Sequence, residues 1–199
     1  MSTVLYIKAN ARPEGESRTF KISDRFIETY KQYHPDDTVI TLDLSKENIH
    51  FLTEEEVARH SAEMLTEKDI TAKYAYQFRD ADKYVFAEPM WNLGVPAILK
   101  AYIDYISIPG ITFKYTENGA AGLCEGKKAV NITTSGGDYS EGMAAEWEMC
   151  DKYLKAMMAL FGITDYATVS ATNLDVIGED VEAIVNEAIR KAEELAKYF

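Results

Sequence analysis

Tyr84-Val85-Phe86-Ala87-Glu88-Pro89-Met90-Trp91-Asn92-Leu93-Gly94-Val95-Pro96-Ala97-Ile98-Leu99 is the stretch that decides the fold. Its first four residues are apolar and suit a central strand, and Ala97 to Ile103 suits a helix. Pro89 lacks the N–H that a sheet ladder needs, and Pro96 fits a first helical turn, so the loop between them is pinned at both ends. A loop held this way at the carboxyl end of a strand lies where open α/β sheets bind ligands.

Outward from this stretch, strand and helix alternate five times. Thr3 to Ile7 reads as a strand buried on both faces, followed by a polar loop from Lys8 to Thr19 and an amphipathic helix with Ile22, Phe26, Tyr30 and Tyr33 on one face. Thr38 to Leu44 has the period-two pattern of a second strand, nearer an edge. Thr53-Glu54-Glu55-Glu56 matches a capping box and opens a charged helical region, continuous or broken, to about Arg79. Asp82 to Ala87 is the third strand, Lys128 to Thr134 the fourth and Asp165 to Ala171 the fifth. Between the last two, Met143, Trp147, Cys150, Leu154, Met157 and Phe161 predict one helix whose stripe serves the core or a subunit interface. Val181, Ile184, Val185, Ala188, Ile189, Ala192 and Leu195 mark the last helix, with Glu179 and Asp180 at its start and Lys197 near its end to suit the dipole. With no repeat or low-complexity linker, this pattern specifies a single α/β domain over residues 1–199. Its expected form is a doubly wound parallel sheet of five strands in the order 2-1-3-4-5, with helices on both faces.

The chain has 199 residues, 47% of them hydrophobic, enough for a real core. A formal net charge of -12 argues against a nucleic-acid partner, because a phosphate backbone needs clustered Lys and Arg. No basic start leads into an apolar segment and no 18-residue apolar run occurs, so no membrane partner is expected and a cytoplasmic location is. Cys124 and Cys150 lack CxxC spacing and read as buried thiols. His34, His50 and His60 lack paired ligand spacing, so no metal is expected.

Three loops at strand carboxyl ends carry the candidate chemistry. At Ser17-Arg18-Thr19 the first helical amides, two hydroxyls and a guanidinium could receive one phosphate, although spacing equally allows Ser17 to be only an N-cap. No G-x-G-x-x-G follows the first strand, which disfavours a pyrophosphate. Met90-Trp91-Asn92-Leu93 offers soft apolar contact and backbone N–H groups to a ring, and Thr134-Ser135-Gly136-Gly137 brings further amides to its edge. The ligand implied is a flavin mononucleotide. Pro109 to Gly126, punctuated by four glycines, reads either as a functional excursion toward a neighbour or as a hairpin without chemistry.

These residues resemble a known family, the FMN-dependent NADH-azoreductases and NADH:quinone oxidoreductases, of flavodoxin-like fold. The resemblance rests on Pro89-Met90-Trp91-Asn92, on Gly110-Ile111-Thr112-Phe113-Lys114-Tyr115-Thr116-Glu117-Asn118-Gly119, on Gly126-Lys127-Lys128-Ala129 and on Thr134-Ser135-Gly136-Gly137, and it extends over nearly the whole chain. It implies that Asn10, Ser17, Arg18 and Thr19 hold the FMN phosphate. Pro89, Met90, Trp91, Asn92 and Leu93 then hold one side of the ring, and Thr134, Ser135, Gly136 and Gly137 the other. It implies a homodimer with flavin sites at the interface, Phe113, Tyr115 and Tyr139 as substrate-side residues, and NADH or NADPH as hydride donor to a quinone or azo acceptor in ping-pong order. No catalytic side chain is expected, because the chemistry belongs to flavin N5. Either tyrosine could equally be ordinary packing. Position 10 is Asn where many members carry Ser, and Asn48 to Lys68 is short compared with some. The alternative is a flavodoxin-type electron carrier without a substrate of its own. Its acidic surface would suit that role, but the Gly110 to Gly126 excursion is more than a minimal carrier needs.

Overall fold

The structure, a computed structural model, describes residues 1–13, 15–61 and 63–199, without the side chain of residue 70. Glu14 in the polar loop and Ala62 in the segment from Asn48 to Lys68 lie outside the described residues. In chain order the elements are β1 (Thr3–Lys8), α1 (Arg18–Tyr33), β2 (Thr38–Asp43), α2 (Glu54–Ala58), α3 (Ile70–Asp80), β3 (Lys83–Pro89) and α4 (Ala97–Ile106). They continue with β4 (Phe113–Thr116), β5 (Gly119–Gly122), β6 (Lys128–Thr134), a 3-10 turn (Met143–Trp147), α5 (Asp151–Leu160), β7 (Asp165–Ala171) and α6 (Val181–Ala196).

Five strands form one parallel sheet in the order β2-β1-β3-β6-β7. With the β4-β5 hairpin set aside, this is the expected 2-1-3-4-5. The strand period of two divides the central residues between two cores. Leu5, Ile7, Tyr84 and Phe86 join Phe78, Tyr102, Ile103 and Leu154 on one face, under α3, α4 and α5. Val4, Tyr6, Val85 and Ala87 join Ile22, Phe26, Tyr30, Val185 and Ala188 on the other, under α1 and α6.

One helical region takes the broken form allowed for it, and one helical expectation needs correction. The Thr53 capping box forms, but α2 lasts only five residues before the chain leaves the helix and resumes at α3. The stripe from Met143 to Phe161 is likewise not one helix. The Glu148 carboxylate accepts from the N–H groups of Cys150, Asp151 and Lys152, at 2.9, 2.7 and 3.2 Å, and so starts α5 afresh. Cys150, Leu154 and Phe161 are buried, whereas Met143 and Trp147 stand exposed on the 3-10 turn. Tyr33, at the last residue of α1, also faces outward.

The β4-β5 hairpin is fastened by Leu123 N–H to Thr112 O and by Cys124 N–H to Phe161 O, at 2.9 and 2.8 Å. A Cβ on Gly122 would lie 2.1 Å from the Gly162 nitrogen, so only glycine permits this backbone contact. Both cysteines are free and buried. Among the described residues there is no group of side chains suited to a metal ion, and no helix is long and apolar enough to cross a membrane.

Candidate functional site

The carboxyl ends of β1, β3, β6 and β7 border one cavity of about 390 Å3. Asn10, Arg18 and Thr19 line it from the first loop and α1, Pro89 at the end of β3 with Met90 and Trp91 beyond it, and Thr134 at the end of β6 with Ser135 and Gly136 beyond it. Leu174 and Asp175 complete it from the loop after β7. The three turns expected to converge therefore do so, on the sheet edge where strand order reverses.

One end is organised for an anion. Ser17 Oγ accepts the Phe20 N–H at 3.1 Å and Asn10 Nδ2 at 2.9 Å, while Arg12 N–H fixes Asn10 Oδ1 at 3.0 Å. A hydroxyl has two lone pairs and one proton. Both lone pairs of this buried serine are engaged, so the proton is what it has left to give. Capping and anion binding are thus compatible roles of the same side chain. Thr19 and Thr134 hydroxyls lie 2.6 Å apart and tie α1 to the end of β6. Arg18 Nη1 donates to Leu174 O at 2.9 Å and to Asp175 Oδ1 at 3.0 Å, spanning the cleft mouth. Arg12 and Lys21 bring the lining to three cations, against Glu16 and Asp175.

The other end is strained. Trp91 and Gly94 exchange backbone hydrogen bonds of 2.9 and 3.1 Å around Asn92 (φ 50°) and Leu93 (φ 69°), a two-residue turn with both central residues left-handed. Asparagine tolerates this region, but for leucine it costs about 1–2 kcal/mol. Met149 N–H holds the turn by donating to Leu93 O at 3.0 Å. Trp91 and Leu93 remain 41% and 37% exposed, which leaves apolar surface over the cleft.

The loop after β6 is fastened to the loop after β7 by Leu174 N–H to Ser135 O and Asp175 N–H to Gly136 O, at 3.1 and 3.0 Å. Ser135 Oγ donates to Gly137 O at 2.7 Å. Among the described residues, no hydrogen bond occupies the N–H groups of Gly136 or Gly137. A Cβ on Gly136 would meet the Asp175 carboxylate at 2.6 Å and displace it. Behind the Pro89 loop lies Glu88, completely buried. Burial pushes its carboxyl up to about 8, with Cys150, Asn131 and Thr133 opposing the shift through hydrogen bonds.

Not every expected residue meets the cavity. Asn92 lines an adjoining depression of about 820 Å3 with Val95, Lys100 and Tyr153, and Trp91 is the wall between the two. Tyr139 lines a third depression with Met90, Ser135 and Thr168. Leu93 and Gly137 line none of these three cavities, and Ser17, 1% exposed, lies behind the lining of the first. Phe113 is 6% exposed and packs into the core, edge-on to Tyr115 at 5.4 Å, so within this chain it seats the hairpin and does not line the cleft. Tyr115 itself is 74% exposed. Arg12, Lys21, Leu174 and Asp175 escaped the sequence reading. The last two had a signal: they too leave a strand at its carboxyl end, beside the fourth strand in the expected order.

A doubly wound sheet with an anion seat at its first helix and a pinned turn over the same edge defines the flavodoxin-like class. The family described as flavodoxin-like fold matches residues 2–196. An FMN-dependent NADH:quinone oxidoreductase 2 of Clostridium acetobutylicum is 61% identical over 200 residues, and one of Caldicellulosiruptor saccharolyticus is 54% identical over 201; each alignment covers 100% of both chains. Among solved structures, an azoreductase from Bacillus anthracis superposes with a TM-score of 0.92 at 40% identity, covering 100% of both chains. An FMN-dependent NADH-azoreductase from the same species, in complex with FMN, gives 0.90 at 29% identity over 98% of both. The chain belongs to this enzyme family, the FMN-dependent NADH:quinone oxidoreductases and azoreductases.

Proposed function

We propose that this protein reduces quinones or azo compounds with electrons from NADH or NADPH, by ping-pong hydride transfer through bound FMN. The observation that carries the reading is the single cavity lined by an anion seat at one end and by a pinned apolar turn and unengaged amides at the other. Those residues fit FMN: a hydroxyl proton and open helical amides suit one phosphate, and glycine backbone leaves room at a ring edge. FMN, when bound, supplies the hydride chemistry, so no side chain is assigned as nucleophile or general base.

The chain's own residues bind, orient and polarise. Asn10 orients Ser17, and Ser17, Arg18 and Thr19 take the phosphate. Pro89, Met90, Trp91, Asn92 and Leu93 grip one side of the ring, and Thr134, Ser135, Gly136 and Gly137 the other. The Gly136 and Gly137 N–H groups would donate to the ring edge that gains negative charge on reduction, and such donors would raise the reduction potential. The working unit is a homodimer with its sites at the interface, where Tyr115 and Tyr139 meet the acceptor. The exposure of Tyr115, Met143, Trp147 and Met149, at 74%, 88%, 57% and 54%, supports an apolar surface awaiting a partner. The unpaired thiols fit the reducing cytoplasm.

Anaerobic NADH titration of the purified protein tests the reading. The expected result is a yellow dimer that bleaches with one NADH per flavin and recolours with a quinone. A stable semiquinone without direct NADH oxidation would instead mark an electron carrier, and a colourless protein that takes up no FMN would end the flavin assignment.

A further inference from the structure

Glu88 stands immediately before the Pro89 loop and is 0% exposed. Cys150 Sγ donates to its Oε2 at 2.9 Å and Asn131 Nδ2 to its Oε1 at 3.2 Å. Asn131 Nδ2 also donates to Asp151 Oδ1 at 2.9 Å, and Asp151 accepts from the Tyr166 and Thr168 hydroxyls. One buried acceptor of this region, Asn131 Oδ1, has no hydrogen-bond partner among the described residues, while Thr133, the register partner of Glu88 across β3 and β6, brings its hydroxyl to the carboxyl. An amide oxygen only accepts, so a carboxylate can offer it nothing, whereas a carboxylic acid can donate to it. Burial acts in the same direction, favouring the neutral acid.

Residues 148–151 join this network to the Trp91–Gly94 turn. Glu148 anchors the N–H groups of Cys150 and Asp151, Cys150 holds Glu88, and between them Met149 N–H donates to Leu93 O at 3.0 Å. We propose that Glu88, through its pair with Cys150, is a positioning residue for the turn: the buried pair keeps Met149 where its N–H can hold Leu93 left-handed. Ionisation would set a second carboxylate beside Asp151, with Glu148, Cys150 and Tyr166 as the other titratable groups of the network and only Asn131 and Thr133 as polar neighbours on β6. The turn would loosen. The inference rests on the flavin reading only in taking that turn as the ring's support.

Trp91 sits in the turn and Trp147 is the chain's other tryptophan, so Trp147→Phe leaves Trp91 as the sole reporter. In the FMN-free full chain, Trp91 emission is expected to change around pH 8, where Glu88 ionises. Glu88→Gln abolishes that transition, and Glu88→Ala gives the high-pH emission throughout. FMN affinity, read by flavin fluorescence quenching, falls about tenfold in Glu88→Ala and less than about threefold in Glu88→Gln, as for loss or retention of one buried hydrogen-bonded pair. A Trp91 titration that survives Glu88→Gln, or emission unaltered by Glu88→Ala, overturns the proposal. Should Glu88→Ala fail to fold, Glu88→Gln alone decides. If the unsubstituted chain takes up no FMN, the flavin reading falls, and the Trp91 titration still judges Glu88.

Discussion

At the start of α1, Asn10, Ser17 and Phe20 satisfy one another over ten residues of chain, whereas at the Trp91–Gly94 turn Leu93 is strained and is held by Met149, more than fifty residues away. The first end gathers its donors from a single loop and helix, so its geometry is set by local capping. The second depends on the segment just before α5, which brings Met149 N–H to Leu93 O. A grip on a compact anion can be built from one segment, because a helix N-terminus already concentrates donors and positive potential. A flat surface needs several segments brought into line, and one of them here is held in an unfavourable conformation.

Substitutions at the two ends should break or sharpen this contrast. The largest effect is expected of Ser17→Ala, which removes both the cap and the remaining donor. It should lower stability by about 1 kcal/mol in urea unfolding and weaken FMN binding at least about tenfold. Undiminished FMN affinity would mean that the anion seat is not where the grip lies.

Glu88→Gln comes next and concerns pH. Because the folded carboxyl titrates near 8 and the unfolded one near 4.5, the folded state keeps a proton that the unfolded state has lost between those values. The contribution of Glu88 to stability is therefore fully present below about pH 4.5, falls as pH rises toward 8 and is flat above it. Glu88→Gln should flatten that slope in thermal melts, and FMN-phosphate contacts at Ser17 should be indifferent to it. An unchanged slope would remove Glu88 as its source.

Leu93→Gly should relieve the left-handed strain and, after glycine's entropic cost, raise stability by about 0.5–1 kcal/mol while loosening the ring end. A destabilised variant would mean that the exposed leucine side chain contributes more than its backbone costs. The smallest effect is that of Tyr115→Ala. With this side chain mostly in solvent, stability should stay within about 0.5 kcal/mol, while KM for a quinone rises several-fold. An unaltered KM would leave Tyr115 a hairpin residue without a part in acceptor binding.

How much could be read in advance differs from element to element. The fourth and fifth strands appear with the expected ends, Lys128 to Thr134 and Asp165 to Ala171; the fourth is buried on both faces and marked by apolar pattern alone, whereas the fifth lies at the sheet edge, largely exposed or half-buried. The helix expected from Met143 to Phe161 fails because Glu148 captures three successive amides, a local competition that hydrophobic spacing does not report. Asp175 was overlooked although its partner Arg18 was not, since the pair is separated by most of the chain.

The sequence by itself determined the alternation of strands and helices, the strand order, the capped helix start and the pinned Pro89 loop. The strand order follows from the alternation and the topology rules of doubly wound sheets, and the others from side-chain period, backbone restriction or hydrogen-bond capacity within a short segment. Only the tertiary structure decided that Leu93 would be left-handed, that Phe113 would turn inward while Tyr115 turned outward, and that Glu88 would meet Cys150. Those outcomes depend on which distant groups share a dry interior, where one unpaired polar atom costs more than any local preference supplies.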